Sequence, residues 1–199
     1  MPTKTFFNLQ KEKKMRILKA GKKEFSRVPL ERAVIANIAK DAGIPRGSFY
    51  QYFTSLEDLF SYIIEYMYGF NKKKFEECLK ENNNNIYDAL KIRFKSEIDR
   101  LSQQENRQFR LNTFSVLLNE NNNYSKEFLE NIIGKGSNLD LEFFPEKYQK
   151  SSNFSKVLNL IKMVGDNCVQ RYLTSEISQE EIIEDYNDYI DLMKTKFEQ

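Results

Sequence analysis

Arg46, Gly47, Ser48, Tyr50, Gln51 and Tyr52 fall within seven consecutive residues. No nucleophile with an adjacent base and no metal-ligand spacing is found among them. These side chains suit hydrogen bonding to a double-stranded nucleic acid. A guanidinium such as that of Arg46 matches guanine as a bidentate donor, and such a pair is worth about 1–3 kcal/mol of discrimination. Gln51 reads adenine by the same logic or reaches the sugar-phosphate backbone. Tyr52 has a ring for a thymine methyl and a hydroxyl for a phosphate. Gly47 lets the segment approach a groove closely.

A helix-turn-helix positions these groups. Val34, Ile35, Ile38, Ala39 and Ala42 make one apolar face of a first short helix. Gly43 supplies a turn residue that takes a positive φ without steric cost, and Pro45 pre-sets φ for the next helix. Phe49 and Phe53 are four apart, so they share a face and bury together. The second helix is too short to be stable alone. Two readings stay open for Tyr50 and Tyr52: contact with DNA, or packing of one of them against the following helix.

The string Ile-Ala-x-x-Ala-Gly-Ile-x-x-Gly-Ser-Phe-Tyr-x-Tyr-Phe-x-Ser-x-Glu-Asp-Leu over residues 38–59 resembles the TetR (tetracycline-repressor) family of bacterial transcription regulators. Ile17-Leu18-Lys19-Ala20 and Phe25 resemble that family's first helix, and the likeness runs over roughly residues 10–65. It implies that the hydroxyls of Ser48 and Tyr50 grip phosphates, and that Tyr52 stands where the family often has His. It further implies a C-terminal helical domain enclosing an effector, and a dimer built from the last two helices of each subunit. Two positions depart from the pattern. Ala33-Val34 replace a helix-capping Thr, and Leu56 replaces a Lys that often contacts a phosphate.

The charge distribution agrees with DNA contact at one end. Residues 1–53 carry twelve Lys or Arg against four Asp or Glu, a net of +8, while the remainder carries −6. A basic head on an acidic body is the electrostatic footprint of a protein that presents one end to phosphates. One head spans too few base pairs to find a genomic site. Two heads about 34–36 Å apart, facing a palindromic operator, solve that problem.

The rest of the composition excludes several classes. Among 199 residues there is no histidine, so the commonest metal ligand and general base is missing. No cofactor, no metal and no enzymatic activity are expected. Cys78 and Cys168 are far apart and inside helical patterns, which suits thiols in a cytoplasmic protein. No apolar run approaches the roughly 20 residues that span a membrane, and no leader segment is evident.

Few glycines or prolines interrupt the chain, and the fold class expected is all-α with about nine helices. The helices expected outside the helix-turn-helix run from about Leu9 to Ser26, from Ser55 to near Lys80, Ile86 to Gln103, Asn106 to Asn119, Tyr124 to Gly134, Ser155 to Thr174 and Ser178 to Phe197. The first buries Met15, Leu18, the Lys22 stem and Phe25. Ser55 with Asp58, and Ser178 with Glu181, have capping-box spacing. The expected division is 1–54 for DNA binding and 55–199 for effector binding and dimerisation. Val157, Leu160, Ile161, Val164 and Cys168 form one apolar stripe, with Leu158 and Met163 off it. Ile182, Ile183, Tyr186, Tyr189, Ile190, Met193 and Phe197 form another.

Within the body, Tyr66, Met67, Phe94, Phe114, Met163, Cys168 and Tyr172 are the residues selected to line an effector site. Aromatic and thioether side chains suit a largely apolar small molecule. The expected function is thus a ligand-responsive regulator, acting as a homodimeric repressor of a palindromic operator. The competing reading is an architectural or nucleoid-associated DNA-binding protein of the same fold without an effector. A third is an α-helical enzyme or interaction module with an incidental helix-turn-helix.

Overall fold

A computed structural model describes residues 1–117, 144 and 153–197 of the protein. No strand occurs among them, and nine α-helices do. These are α1 (Lys4–Phe7), α2 (Lys11–Arg27), α3 (Ile35–Ala42), α4 (Phe49–Tyr52), α5 (Leu56–Glu81), α6 (Ile86–Leu101), α7 (Gln104–Leu117), α8 (Phe154–Thr174) and α9 (Gln179–Phe197). The helix expected at Tyr124–Gly134, the end of the one expected at Asn106–Asn119, and the connection 138–152 apart from Phe144 lie outside the described residues. So does the side chain of Phe197.

The described chain divides into two compact units. The first holds residues 1–69 and α7; the second holds α5 from Phe70 onward, α6, α8 and α9. The division read from sequence follows the helix-turn-helix alone. The compact units follow packing, and the first also takes in the early turns of α5 and all of α7.

In the first unit, α2 lies at the centre. Its buried face is Ile17, Leu18, Ala20, Gly21, Glu24, Phe25 and Ser26, broader than the Met15–Leu18–Lys22–Phe25 stripe expected; Met15 is only half-buried. Gly21 allows close approach of α5. A Cβ placed there would stand 2.8 Å from Cδ1 of Ile63 and 2.9 Å from Cδ2 of Leu59. On another side α7 is tied in by Asn112, whose side-chain amide donates to the Phe25 carbonyl at 2.8 Å. A short helix not expected from the sequence, α1, adds Phe6, which is fully buried.

The capping Thr missing from the sequence before α3 is replaced from a distance. Glu24, buried on α2, accepts from the backbone N–H of Val34 at 2.9 Å and from the side-chain amide of Asn37 at 3.1 Å. A carboxylate at this end also complements the helix dipole. Arg27 holds Glu24 by a two-pronged pair, Nη2 to Oε1 at 2.7 Å and Nε to Oε2 at 2.9 Å. The side chain of Val34, assigned to the apolar face from sequence, is 44% exposed. Its N–H rather than its side chain is what the fold uses. At the other end of α3, Gly43 takes φ 66° and ψ 42°. The Gly43 and Ile44 N–H groups donate back to Lys40 and Ala39, a Schellman closure with Ile44 buried behind it.

The second unit is a helical layer packed on α9. Phe94 of α6 stacks on Tyr186 of α9 with ring centroids 3.8 Å apart and an interplanar angle of 13°. Lys91 pairs with Asp191, and Arg171 of α8 with Asp185. Phe144 is buried between Phe75 and Phe154, at centroid distances of 6.0 and 5.1 Å. The asparagine run between α5 and α6 has a defined job. Asn83 and Asn84 take left-handed φ values of 54° and 59°, and Asn85 caps α6 by accepting from Tyr87 and Asp88 N–H. On α8, Leu158 is buried and Leu160 exposed, the reverse of the stripe read from sequence. Position 158 lies one residue from Val157 and shares the inward arc with Ile161, while Leu160 turns outward.

Two outcomes test how the helix-turn-helix is held. Replacing Glu24 with Ala strands the Val34 N–H and the Asn37 amide, and is expected to cost about 1–3 kcal/mol in denaturant unfolding; Gly43→Ala forces a Cβ into the left-handed region and costs about 1–2 kcal/mol. The Glu24 carboxyl sits below its ordinary range because Arg27 bonds it, followed by Asn37 and Val34, against the opposing effect of burial. Its stabilisation is therefore complete above the ordinary glutamate value of about 4.3 and lost as pH falls through the lower folded value. An unfolding midpoint measured from pH 6 down to pH 3 should drop less steeply in Glu24→Gln than in the wild type.

Candidate nucleic-acid interface

After Gly43 the chain makes a 3-10 turn at Arg46–Ser48, preceded by Pro45 at φ −59°, and then the single α-turn of α4. Ser48 N–H donates to the Pro45 carbonyl at 2.9 Å, and Phe53 N–H to Phe49 at 2.9 Å. Pro45 thus stands just before the second helix rather than in its first turn. Phe49 and Phe53 are fully buried with ring centroids 5.9 Å apart, as their spacing predicts. They seal one side of this segment into the core of the first unit.

Sealing that side turns the others outward. Arg46, Gly47 and Gln51 are exposed, Ser48 is half-buried, and Tyr50 is 55% exposed. The Tyr50 ring stands edge-on to Phe49 at 5.6 Å, which holds it upright from the surface. Tyr52 is different. It is 4% exposed, and the Lys13 ammonium lies 5.5 Å from its ring centroid. Its assignment to a groove contact is therefore corrected. Three residues from the buried Phe49, Tyr52 falls on the same inward arc, and packing claims the ring. Leu56 is half-buried against the same core, so the position that replaces a Lys serves packing.

The segment is closed on its far side by a cap that reaches one residue further back than expected. Ser55 Oγ accepts from the Asp58 N–H at 3.3 Å, the forward half of a capping box. The Asp58 carboxylate turns to the N–H and hydroxyl of Thr54, at 3.1 and 3.0 Å, and to the amino group of Met1. Burial pushes the Asp58 carboxyl up, but these bonds outweigh it and hold the group below the usual range. Ser178 likewise accepts from the Glu181 N–H at the start of α9.

The first unit also carries several cations. Lys4, Lys11 and Lys40 are exposed, whereas Lys14 is committed to the Phe7 carbonyl at 2.6 Å and Lys23 to Asp41 at 2.7 Å. Glu24 and Thr3 are positioning groups that sequence reasoning missed. A glutamate ten residues before the uncapped start of α3 at Val34 was the available sign of the first. For the second, it was a threonine three residues before an aromatic pair.

The seven residues selected for an effector site are divided between the two compact units. Tyr66, Met67 and Phe114 belong to the first unit. There Tyr66 is exposed with its hydroxyl on the Met15 sulfur at 3.4 Å, Met67 edges the core, and Phe114 lies under the Arg110 guanidinium. Phe94, Met163, Cys168 and Tyr172 belong to the second. Met163 is 67% exposed, while Phe94, Cys168 and Tyr172 are core. Burial raises the Tyr186 hydroxyl, with Cys168 adding to the effect, and also raises the Cys78 and Cys168 thiols. Among the described residues no group of three or more His, Cys, Asp or Glu is arranged to hold a metal, and no helix is long and apolar enough to cross a membrane.

With this geometry in place, the comparisons with known proteins are specific. Residues 17–63 match the family model for bacterial regulatory proteins of the tetR family. Over 80 residues the chain is 38% identical to the uncharacterized HTH-type transcriptional regulator YdgC of Bacillus subtilis (strain 168). That match spans 40% of this chain and 41% of YdgC, so the chain covers about two fifths of the curated relative's length. Among solved structures, a Rhodococcus sp. protein described as a TetR-family transcriptional regulator superposes with a TM-score of 0.74 at 17% identity, covering 92% of this chain and 99% of that one. The regulator FadR from Bacillus subtilis, solved in complex with stearoyl-CoA, gives 0.67 at 18% identity over 90% and 96%. The fatty acid degradation regulator FadR from Bacillus halodurans gives 0.69 at 18% over 88% and 96%. At these identities the structural matches establish the fold, and the family rests on the sequence matches through the helix-turn-helix. Residues 17–63 thus carry the helix-turn-helix segment of the tetR family of bacterial regulatory proteins.

Proposed function

We propose that the protein is a transcriptional regulator that binds a palindromic operator as a homodimer and is released by a small, largely apolar effector. The observation that carries the DNA-binding part is the sidedness of residues 46–53. Phe49, Tyr52 and Phe53 are buried, which leaves Arg46, Gly47, Ser48, Tyr50 and Gln51 on the surface, within a stretch, residues 1–53, whose net charge is +8. In this reading Arg46 and Gln51 read base edges, and Ser48 and Tyr50 hold phosphates.

Dimerisation is supported by the second unit. Leu160 and Met163 of α8, and Tyr189 and Leu192 of α9, are exposed. Their neighbours Ile161, Ile182, Tyr186 and Ile190 fill the core. Both helices thus carry apolar side chains on two sides, which suits a four-helix interface between subunits. For the effector, support comes from the aromatic and thioether content of the body. A protein of the same fold has also been solved with a ligand bearing a long apolar tail. Release follows if the effector binds more tightly to an arrangement in which the two heads no longer match the half-sites; the shift equals that difference in affinity and no more.

Duplexes selected by the protein from a random-sequence pool supply the probe. Arg46→Ala should weaken binding by about 1–3 kcal/mol and relax the preference at one base pair, while Ser48→Ala and Tyr50→Phe should weaken all sequences alike. Failure of the wild type to enrich any duplex would refute the DNA-binding reading. Leu192→Asp with Met163→Asp should yield monomer in analytical ultracentrifugation, and with it a loss of affinity for two-half-site duplexes. Titration with stearoyl-CoA should release bound duplex if the effector is a long acyl compound; release by none of a panel of apolar molecules would favour the architectural alternative.

A further inference from the structure

The α4 helix consists of four residues, so its last carbonyls have no partner within the helix. Two of them are met from residues outside the matched family segment. Thr3 donates its backbone N–H to the Tyr52 carbonyl at 3.0 Å and its hydroxyl to the Gln51 carbonyl at 2.6 Å. The same Oγ accepts from the Phe6 N–H at 3.3 Å and so caps α1. Phe6, fully buried, holds α1 against this region, with its ring 4.8 Å from Phe53 and 5.3 Å from Tyr62. At the other end of α1, Lys14 donates to the Phe7 carbonyl and ties it to α2.

We infer that residues 3–7 form a latch that sets the position of the DNA-reading segment, with Thr3 as the positioning residue. The inference rests on the DNA-binding reading above. Gln51 is itself one of the exposed reading residues, so a bond to its carbonyl fixes the backbone from which its side chain projects. Thr3 carries no charge and acts through that backbone. Removing its hydroxyl should change how well the segment is held without changing the number of phosphates neutralised.

The test compares the wild type with Thr3→Val, which keeps the shape and loses the hydroxyl, and with Thr3→Ser, which keeps the hydroxyl. On duplexes selected by the wild type, Thr3→Val should bind about three- to tenfold more weakly, the worth of one hydrogen bond. The salt dependence should be unchanged, and Thr3→Ser should restore affinity. In the free protein, hydrogen exchange of the Phe53 amide, which donates to Phe49 across α4, should quicken in Thr3→Val, with amides of α3 and mid-α5 unaltered. Wild-type affinity in Thr3→Val overturns the latch. Weakened binding with unchanged Phe53 exchange also overturns it, because Thr3 would then act on DNA directly. If the wild type binds no DNA, the functional reading fails. The exchange measurement still decides whether Thr3 restrains α4.

Discussion

A helix of four residues cannot hold itself together in water. Its last backbone hydrogen bond runs from Phe53 to Phe49, and its four residues are far below the length at which helices persist alone. Everything around residues 46–53 is arranged to replace that missing stability from outside. Phe49 and Phe53 anchor one side in the core, the Gly43 closure delivers the chain at a defined angle, and the Thr54–Ser55–Asp58 cap receives it at the start of α5. Arg46, Tyr50 and Gln51 are held in place because their neighbours are packed, not because they form a good helix.

The same economy explains the shape of the first unit. Its core draws on α1, α2, α3, α4, α5 and α7, and only α2 and α5 among these are long. Gly21 permits the two long helices to approach closely, and α7 is attached to α2 by hydrogen bonds from the Asn112 side-chain amide as well as by apolar contact. The second unit is built differently. Longer helices with aromatic stacking hold it, and it leaves apolar residues on the outer sides of α8 and α9.

Local signals carried much of this in the sequence. The Gly43 turn, the Phe49–Phe53 pair, the Ser55 and Ser178 caps and the asparagine punctuation before α6 all involve residues within five positions of one another. Their physical causes are visible in a short window. What could not be read was set by partners far apart in the chain. Tyr52 and Tyr50 look alike in sequence, and only the position of Lys13 and the core separates the buried ring from the exposed one. Leu158 and Leu160 exchange roles because the arc that α8 buries depends on where α9 lies. The helix α1 leaves no mark in the sequence because four residues carry no periodicity. The effector residues were chosen by type, and type does not say which unit a side chain faces.

Glu24 bears on how the molecule folds. A Thr at the start of α3 would satisfy the first N–H from within its own turn, so the helix could begin to form early and alone. In this chain the acceptor is ten residues upstream, on another helix. A loop must close before the first turn of α3 is satisfied. The start of α3 is therefore tied to the docking of α2, and the two helices order as one event. A peptide cut to residues 34–53 would contain the whole helix-turn-helix and lack the group that starts its first helix.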